Sequence, residues 1–161
     1  MPSKKPLLVL TDFDGTLSLT DVGYEVLLKF SGKGWDDIDR DYCEGRIGSL
    51  EAYGRICAIL DGNREDMLRF VAENTVVDPH FGEFYAFCRE RGVDVKVVSD
   101  GLDFYIDFVL RRHGLAEIPF YSNVMTFESG KPRAIEFPYA NEACSRCGTC
   151  KSGILESCRA D

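Results

Sequence analysis

The sequence Leu7-Leu-Val-Leu-Thr-Asp-Phe-Asp-Gly-Thr16 joins an apolar run of strand length to a polar turn. The run Leu7–Thr11 is short and mostly apolar, which is typical of a buried strand. Asp12, Asp14 and Gly15 end that strand, because two acids and a glycine favour a turn. We therefore predict a buried strand with two carboxylates at its carboxyl end, spaced so that both lean toward the same side.

A second strand with the same kind of ending follows later in the chain. Val93, Val95, Val97 and Val98 form a β-branched run, and Ser99-Asp-Gly101 ends it. A strand, a helix and a second strand in this order predict an α/β fold with a doubly wound parallel sheet. Ligands of such sheets bind beyond the carboxyl ends of the strands, so Asp12 and Ser99 are expected to face one crevice.

Helix signals surround the second strand. Asp78-Pro79 is typical of a helix start, and Gly92 of a helix end. A further helix is predicted from about Leu102 to His113, closed by Gly114. Beyond it, residues 120–127 and 134–137 flank a turn at Gly130, which predicts a β-hairpin.

Residues 18–75 have helical periodicity and are predicted to form a helical cap inserted after the first strand. The core domain would then comprise residues 1–17 and 76–161. The predicted apolar faces are Val22, Val26, Leu27 and Phe30; Leu50, Tyr53, Ile56, Cys57 and Leu60; and, after an Asn63 cap, Met67, Leu68 and Val71. The aromatic residues Tyr24, Trp35, Tyr42 and Tyr53 are expected to build the core of this insert. Charged residues such as Asp21, Glu25 and Arg46 are expected to be solvated.

Composition narrows the classes of function. The 161 residues are 45% hydrophobic and 29% charged, the balance of one globular domain. A net charge of −8 offers no basic face, so we expect no nucleic-acid partner. With no signal peptide and no run of eighteen apolar residues, we expect no membrane partner and a cytoplasmic location with reduced thiols.

The Asp-x-Asp-Gly turn has two interpretations. In the first, Asp12, Asp14 and Gly15 merely satisfy backbone groups. In the second, the Asp12 carboxylate attacks phosphorus and forms an aspartyl-phosphate. Asp14 would protonate the leaving alkoxide and later accept a proton from water.

The second interpretation also uses neighbouring groups. Mg²⁺ would bridge Asp12 to the phosphate and spread its negative charge. The N–H groups from Phe13 to Gly15 would cradle phosphate oxygens, and Ser99 would offer a hydroxyl with the amides of Asp100 and Gly101 behind it. This arrangement still requires a lysine to neutralise the phosphoryl oxygens.

The segments Leu8–Leu17 and Val97–Gly101, with a later lysine, resemble motifs one to three of the haloacid dehalogenase superfamily. A helical insert directly after the first motif resembles the cap of the phosphoserine phosphatase-like subfamily. Val98–Phe104 and Cys144-x-x-Cys147-Gly-x-Cys150-Lys151 are similar to phosphatases related to the methionine-salvage enzyme that acts on 2-hydroxy-3-keto-5-methylthiopentenyl-1-phosphate.

The resemblance covers nearly the whole chain and implies a Mg²⁺-dependent phosphatase that hydrolyses a small phosphate monoester through an aspartyl-phosphate. It implies Asp12 as nucleophile and Mg²⁺ ligand, and Asp14 as acid and base with its carbonyl on Mg²⁺. It further implies Ser99 on the phosphate and Lys151 as the motif-three cation. Lys131 in the hairpin turn is the alternative cation, whereas Lys96 is predicted to point away from the crevice.

The chain departs from the superfamily pattern after Lys151. The fourth motif, an acidic Gly-Asp-Gly-x-x-Asp type segment that completes the magnesium shell, has no counterpart in the ten residues that follow. We expect weak Mg²⁺ binding and a chain that is truncated, completed by another chain, or catalytically impaired. The missing strand would leave the first strand unpaired on one side, an edge that a homodimer would cover.

The terminal cysteines give an alternative of another class. Cys144, Cys147, Cys150 and Cys158 have spacings that suit a zinc site or an iron–sulfur cluster. The other interpretation is a set of reduced thiols near a turn. A cysteine-ligated metal-binding protein on the same fold therefore stays open at this stage.

Overall fold

The four strands of the sheet lie in the order β1-β2-β3-β4 in the computed structural model, which describes residues 7–144 and 146–160. Strand β1 (Leu8–Thr11) pairs in parallel with β2 (Asp94–Leu102), and β2 pairs in parallel with β3 (Phe120–Glu128). Strand β4 (Lys131–Glu136) is antiparallel to β3. The mostly parallel α/β sheet and the hairpin are confirmed, with Gly130 at the turn in the left-handed region (φ 79°).

Four helices follow β1 before the chain returns to the sheet. They are α1 (Val22–Phe30), α2 (Trp35–Cys43), α3 (Ser49–Cys57) and α4 (Arg64–Asn74). We call α1–α4 the helical insert. The predicted Asn63 cap is confirmed, because its Oδ1 accepts a hydrogen bond from Asp66 N at 2.9 Å.

The remaining helices are α5 (Phe81–Glu90), α6 (Asp103–Arg112) and α7 (Lys151–Ala160). Helices α5 and α6 occupy the positions predicted for them between and after the first two strands. Within the described ranges, no helix has the length and apolar character needed to cross a membrane.

Two elements differ from the sequence prediction. Strand β2 does not end before Ser99 but continues to Leu102, with an irregular register between Val98 and Leu102 where it pairs with β3. Such an irregularity redirects side chains at the end of a strand. Helix α2 was not predicted individually, because five of its nine residues are Asp or Arg.

The helical insert and the sheet share one apolar core. Val26 and Met67 from the insert belong to the same buried cluster as Val97 from β2 and Ile106 from α6. Phe13 and Leu17, which flank the Asp14 turn, are fully buried. The turn that carries the carboxylates is therefore fixed by core packing on both sides.

Candidate active site

The Asp12 carboxylate lies directly after β1 and meets the first residue of α7. Lys151 Nζ forms an ion pair with Asp12 Oδ2, and Phe13 N donates to Asp12 Oδ1 at 2.8 Å. Both side chains of the pair keep a third to a half of their surface exposed, at 38% for Asp12 and 49% for Lys151. A carboxylate and a lysine separated by 139 positions are thus brought together at an accessible surface.

The Asp14 carboxylate is turned into the protein rather than toward solvent. Its Oδ1 accepts from Gly23 N at 3.2 Å, and its Oδ2 accepts from Tyr105 Oη at 2.9 Å. Burial, together with the nearby Asp21 charge, raises the pKa of Asp14 to about 6, although the hydrogen bonds from Tyr105 and Gly23 lower it. A carboxyl group with such a pKa can hold a proton near neutral pH, as a general acid must.

The end of β2 contributes Ser99 and Gly101. Ser99 is buried, its Oγ accepts from Gly101 N at 2.9 Å, and it lies 3.5 Å from Asp14 Oδ2. A Cβ atom on Gly101 would lie 1.9 Å from Tyr105 Oη and 2.8 Å from Asp14 Oδ2. Glycine is therefore required here so that the Tyr105 hydroxyl can reach Asp14.

Asp100 organises the loop that precedes α7. Its Oδ1 accepts from Thr149 N at 2.8 Å and from Asn123 Nδ2 at 3.1 Å, and Ser49 Oγ donates to its Oδ2. The fully buried Asn123 also accepts from Thr149 Oγ1 at 3.0 Å. The Asp100 carboxylate therefore joins the insert, β3 and the residues just before Lys151, instead of pointing freely at a ligand.

The helical insert closes against the same loop. Leu50 N donates to Arg146 O at 3.2 Å, and Gly148 N donates to Ser49 Oγ at 3.2 Å. A Cβ atom on Gly48 would lie only 2.1 Å from Arg146 O. This close backbone approach ties the start of α3 to the segment that carries Lys151.

A cavity of about 570 Å³ lies between the helical insert and the carboxyl ends of β1 and β2. Six of the residues predicted for the phosphatase site line it: Asp12, Asp14, Ser99, Asp100, Gly101 and Lys151. The structure does not bring Phe13 or Gly15 to this cavity. Phe13 is fully buried and its N–H is bound to Asp12, while Gly15 N donates to Thr20 O at 3.1 Å, because these N–H groups close the turn.

Sequence reasoning missed the wall that the insert contributes. Helix α2 turns Trp35, Ile38, Asp39 and Tyr42 toward the cavity. Their spacing of i, i+3, i+4 and i+7 marks one face of a helix and is the signal that could have identified them. The expectation that the aromatic residues only build the core is therefore incomplete. Trp35 both belongs to the core and lines the cavity, whereas Tyr24 and Tyr42 are 43% and 48% exposed.

The two alternative lysines lie elsewhere. Lys131 Nζ is 3.3 Å from Asp61 Oδ1 at the exposed hairpin turn. Lys96 Nζ lies over the Tyr121 ring and 3.8 Å from Cys158 Sγ of α7. Of the three lysines considered, the structure brings Lys151 to Asp12.

The four terminal cysteines are not gathered around one point. Cys144, Cys147 and Cys150 line the cavity, whereas Cys158 lies against Lys96. Across the described residues, no group of three or more His, Cys, Asp or Glu is arranged to hold a metal ion. Burial, with the nearby Asp100 charge, raises the pKa of the Cys147 thiol. The predicted four-cysteine shell is therefore not formed in this structure.

Magnesium is a better match to the donor set at β1. The Asp12 carboxylate and the Asp14 residue offer hard oxygen donors at the mouth of the cavity. Proteins commonly hold Mg²⁺ through one or two carboxylates while water and substrate phosphate complete its shell. The oxygen donors of these residues are therefore of the type that binds Mg²⁺, and they would supply one or two protein ligands.

Comparison with known proteins places this chain in a family. Residues 9–144 match the profile of haloacid dehalogenase-like hydrolases. The 2-hydroxy-3-keto-5-methylthiopentenyl-1-phosphate phosphatase of Brevibacillus brevis is 32% identical over 154 residues. That alignment covers 94% of this chain and 69% of the relative, and the enzyme of the same name from Geobacillus kaustophilus is 31% identical with equal coverage.

Solved structures share the fold. A HAD family hydrolase from Salmonella enterica serovar Typhi superposes with a TM-score of 0.74 at 18% identity, over 99% of this chain. This chain spans only 54% of that Salmonella protein. Phosphoserine phosphatase from T. onnurineus superposes with a TM-score of 0.69 at 22% identity, covering 99% of this chain and 74% of that one. Both similarities are evidence about the fold.

Proposed function

Because this chain belongs to the haloacid dehalogenase-like hydrolase family, we propose that it hydrolyses a small phosphate monoester through an aspartyl-phosphate on Asp12. The main support is the Asp12 carboxylate, which is paired with Lys151 at the mouth of a cavity that Asp14 also lines. The names of the Brevibacillus brevis and Geobacillus kaustophilus relatives, both phosphatases, agree with this class of substrate.

The reaction is proposed to have two displacements. In the first, an Asp12 oxygen bonds to phosphorus, the P–O ester bond breaks, and Asp14 donates its proton to the departing alkoxide. In the second, water attacks the phosphoryl group, Asp14 takes a proton from that water, and the bond from phosphorus to Asp12 breaks. Phosphate leaves and both carboxyl groups return to their initial state.

The neighbouring groups stabilise charge and position the ester. Lys151 would move its ammonium from Asp12 toward the phosphoryl oxygens, and the Ser99 hydroxyl would donate to one of them. The Asp12 carboxylate and the Asp14 carbonyl would hold Mg²⁺, which would neutralise part of the phosphate charge. The Asp100 network would hold Lys151 in place through Thr149.

The test is turnover of p-nitrophenyl phosphate with Mg²⁺ by the wild-type chain and by Asp12→Asn. We expect the wild type to release phosphate and, in quenched samples, to carry the added mass of one phosphoryl group. Asp12→Asn should show neither property.

Lys151→Met should lower kcat/KM by about 10²-fold or more, since a preorganised charge contact is removed. Lys131→Met, which removes an exposed lysine away from the cavity, should retain the wild-type rate. A wild-type rate in Asp12→Asn contradicts the proposal.

A catalytically impaired relative is the second candidate. It is favoured by the small ligand set, because the described residues place no third acidic side chain beside Asp12 and Asp14 in a metal-holding group. We expect calorimetric titration with Mg²⁺ to give a dissociation constant in the millimolar range. Micromolar binding to a monomer would contradict this expectation and favour an efficient enzyme.

A further inference from the structure

Three aromatic residues of α1 and α2 in the helical insert line the cavity. Tyr24 of α1 and Trp35 of α2 meet edge to face with their ring centroids 5.7 Å apart, and Tyr42 lies two turns further along α2. All three line the cavity, and two of them remain about half exposed. Aromatic faces that border an open cavity are suited to contact a ligand group, and they attract cations through their ring quadrupoles.

The charge of the cavity is strongly asymmetric. Among the described residues that line it, Lys151 is the only Lys, Arg or His, against the five carboxylates of Asp12, Asp14, Asp21, Asp39 and Asp100. In the proposed reaction, the phosphate group of the substrate would bind to Lys151, Ser99 and a metal ion. The described lining of the cavity therefore offers no second cation to neutralise a carboxylate or a further phosphate on the leaving group.

Two of the five carboxylates, Asp21 and Asp39, neither react in the proposed mechanism nor hold the loop that precedes Lys151. Asp12 and Asp14 are assigned to chemistry, and Asp100 is bound by Ser49, Asn123 and Thr149. Asp21 caps α1, where its Oδ1 accepts from Tyr24 N at 2.7 Å, and Asp39 accepts from the Cys43 thiol at 3.7 Å. Asp21 directly precedes α1 and Asp39 lies on α2, the two helices that carry the three aromatic residues, and all five residues line the cavity.

From this juxtaposition we infer that the substrate, within the proposed phosphatase function, is an amino-alcohol phosphate whose leaving group carries a cationic nitrogen. The cation lies among Tyr24, Trp35 and Tyr42, with Asp21 and Asp39 supplying the counter-charge. The apolar side chains of Leu27, Ile38 and Ile56 also line the cavity and suit the methyl groups of a quaternary ammonium better than a bare ammonium. A leaving group that bears a carboxylate, such as that of phosphoserine, is disfavoured.

The direct test compares two esters of nearly equal shape. Phosphocholine carries a trimethylammonium group, and 3,3-dimethylbutyl phosphate carries a neutral tert-butyl group in its place. We expect kcat/KM for phosphocholine to exceed that for the neutral ester by about tenfold, the effect of one desolvated cation–π contact. Phosphoserine should be hydrolysed more slowly than either.

A substitution on α2 tests whether the cavity wall causes the preference for phosphocholine over the neutral ester. Asp39→Asn, which removes one carboxylate from the cavity wall, should reduce the ratio of the two kcat/KM values by about threefold or more. Asp37→Asn is the matched control, because Asp37 lies on the same helix, is exposed and pairs with Arg40. It should leave the ratio unchanged.

The outcomes separate this inference from the proposed function. Equal kcat/KM for the two esters, or faster hydrolysis of the neutral one, overturns the cationic substrate and leaves a phosphatase with an apolar leaving-group site. A ratio that falls equally in Asp37→Asn and Asp39→Asn also overturns it. Failure to hydrolyse p-nitrophenyl phosphate as well as both esters overturns the proposed function itself, and the inference with it.

Discussion

At the scale of single residues, the Tyr105 hydroxyl is expected to stabilise the fold through its hydrogen bond to Asp14. Tyr105 is fully buried and donates to Asp14 Oδ2 at 2.9 Å. Tyr105→Phe leaves a largely buried carboxylate with one donor fewer, so we expect the free energy of unfolding to fall by about 2 kcal/mol at pH 7.5 in urea denaturation. Tyr85→Phe is the control, because Tyr85 is a partly buried tyrosine on α5 whose ring stacks with Arg89. Equal losses in the two variants would contradict the assigned hydrogen bond.

Asp103 gives a pH-dependent prediction away from the proposed metal ligands. Its half-buried carboxylate begins α6 and accepts from Met125 N at 2.9 Å, and burial raises its pKa above 3.8 although hydrogen bonds lower it. A raised pKa in the folded state contributes stability that is complete below 3.8 and is lost as pH rises through the folded value. Asp103→Asn keeps an acceptor but does not titrate. We therefore expect the wild type to lose stability relative to Asp103→Asn between pH 4 and pH 7.5 in urea denaturation. A difference that is constant with pH would contradict this.

Site residues were predictable where a local pattern marks them. Asp12 and Asp14 follow an apolar strand, which indicates them locally, whereas Lys151 was preferred to Lys131 only through the resemblance to the haloacid dehalogenase superfamily. Asn123 and Ser49 lie in no motif, and their partner Asp100 is 23 and 51 positions away in the chain. Hydrogen bonds between such distant residues depend on tertiary packing, which local propensities do not encode.

At the scale of elements, one glycine just before α3 and one within it give a matched pair of variants. Gly48 precedes α3, and a Cβ atom there would collide with Arg146 O at 2.1 Å, whereas a Cβ atom on Gly54 would meet nothing within 4 Å. We expect Gly48→Ala to lower stability by about 1–3 kcal/mol through overpacking. It should also lower kcat/KM for p-nitrophenyl phosphate, because residues 146–150, here called the Arg146 segment, directly precede Lys151 in the chain.

Gly54→Ala is the control for that effect. Alanine is favoured over glycine inside an exposed helix, so stability should rise by up to about 1 kcal/mol in urea denaturation, with kcat/KM unchanged. If Gly48→Ala behaved like Gly54→Ala, the close contact between α3 and the Arg146 segment would not exist in solution.

The elements themselves were predicted unevenly, for physical reasons. Strand β1, helix α6 and the β3–β4 hairpin carry strong local signals and were predicted within a few residues. Helix α2 is mostly charged, so the helical spacing of its apolar residues Trp35 and Ile38 is a weak local signal. The continuation of β2 through Gly101 depends on pairing with β3, where Leu102 is opposite Asn123. Composition at Ser99–Gly101 favours a turn, and tertiary pairing overrides it.

At the scale of the whole molecule, the two edges of the described sheet differ in chemistry. Strand β4 carries Lys131, Pro132 and Arg133, the charges and proline that discourage pairing with another chain. Strand β1 has the sequence Leu-Val-Leu-Thr and pairs with β2 within the described sheet. The predicted homodimer is therefore expected to form at β1 and not at β4.

Self-association at β1 is measurable by sedimentation velocity over a range of protein concentrations. Leu7, which directly precedes β1, is 64% exposed and apolar, so it would be partly covered in such a dimer. We expect the wild type to show a dimer at high concentration and Leu7→Lys to shift the equilibrium toward monomer, because a charge at a sheet edge opposes pairing. Ala134→Lys on β4 is the matched change at the other edge and should leave the equilibrium where it is. A wild-type chain that stays monomeric at every concentration, or an equal shift in both variants, would show that the β1 edge does not mediate assembly.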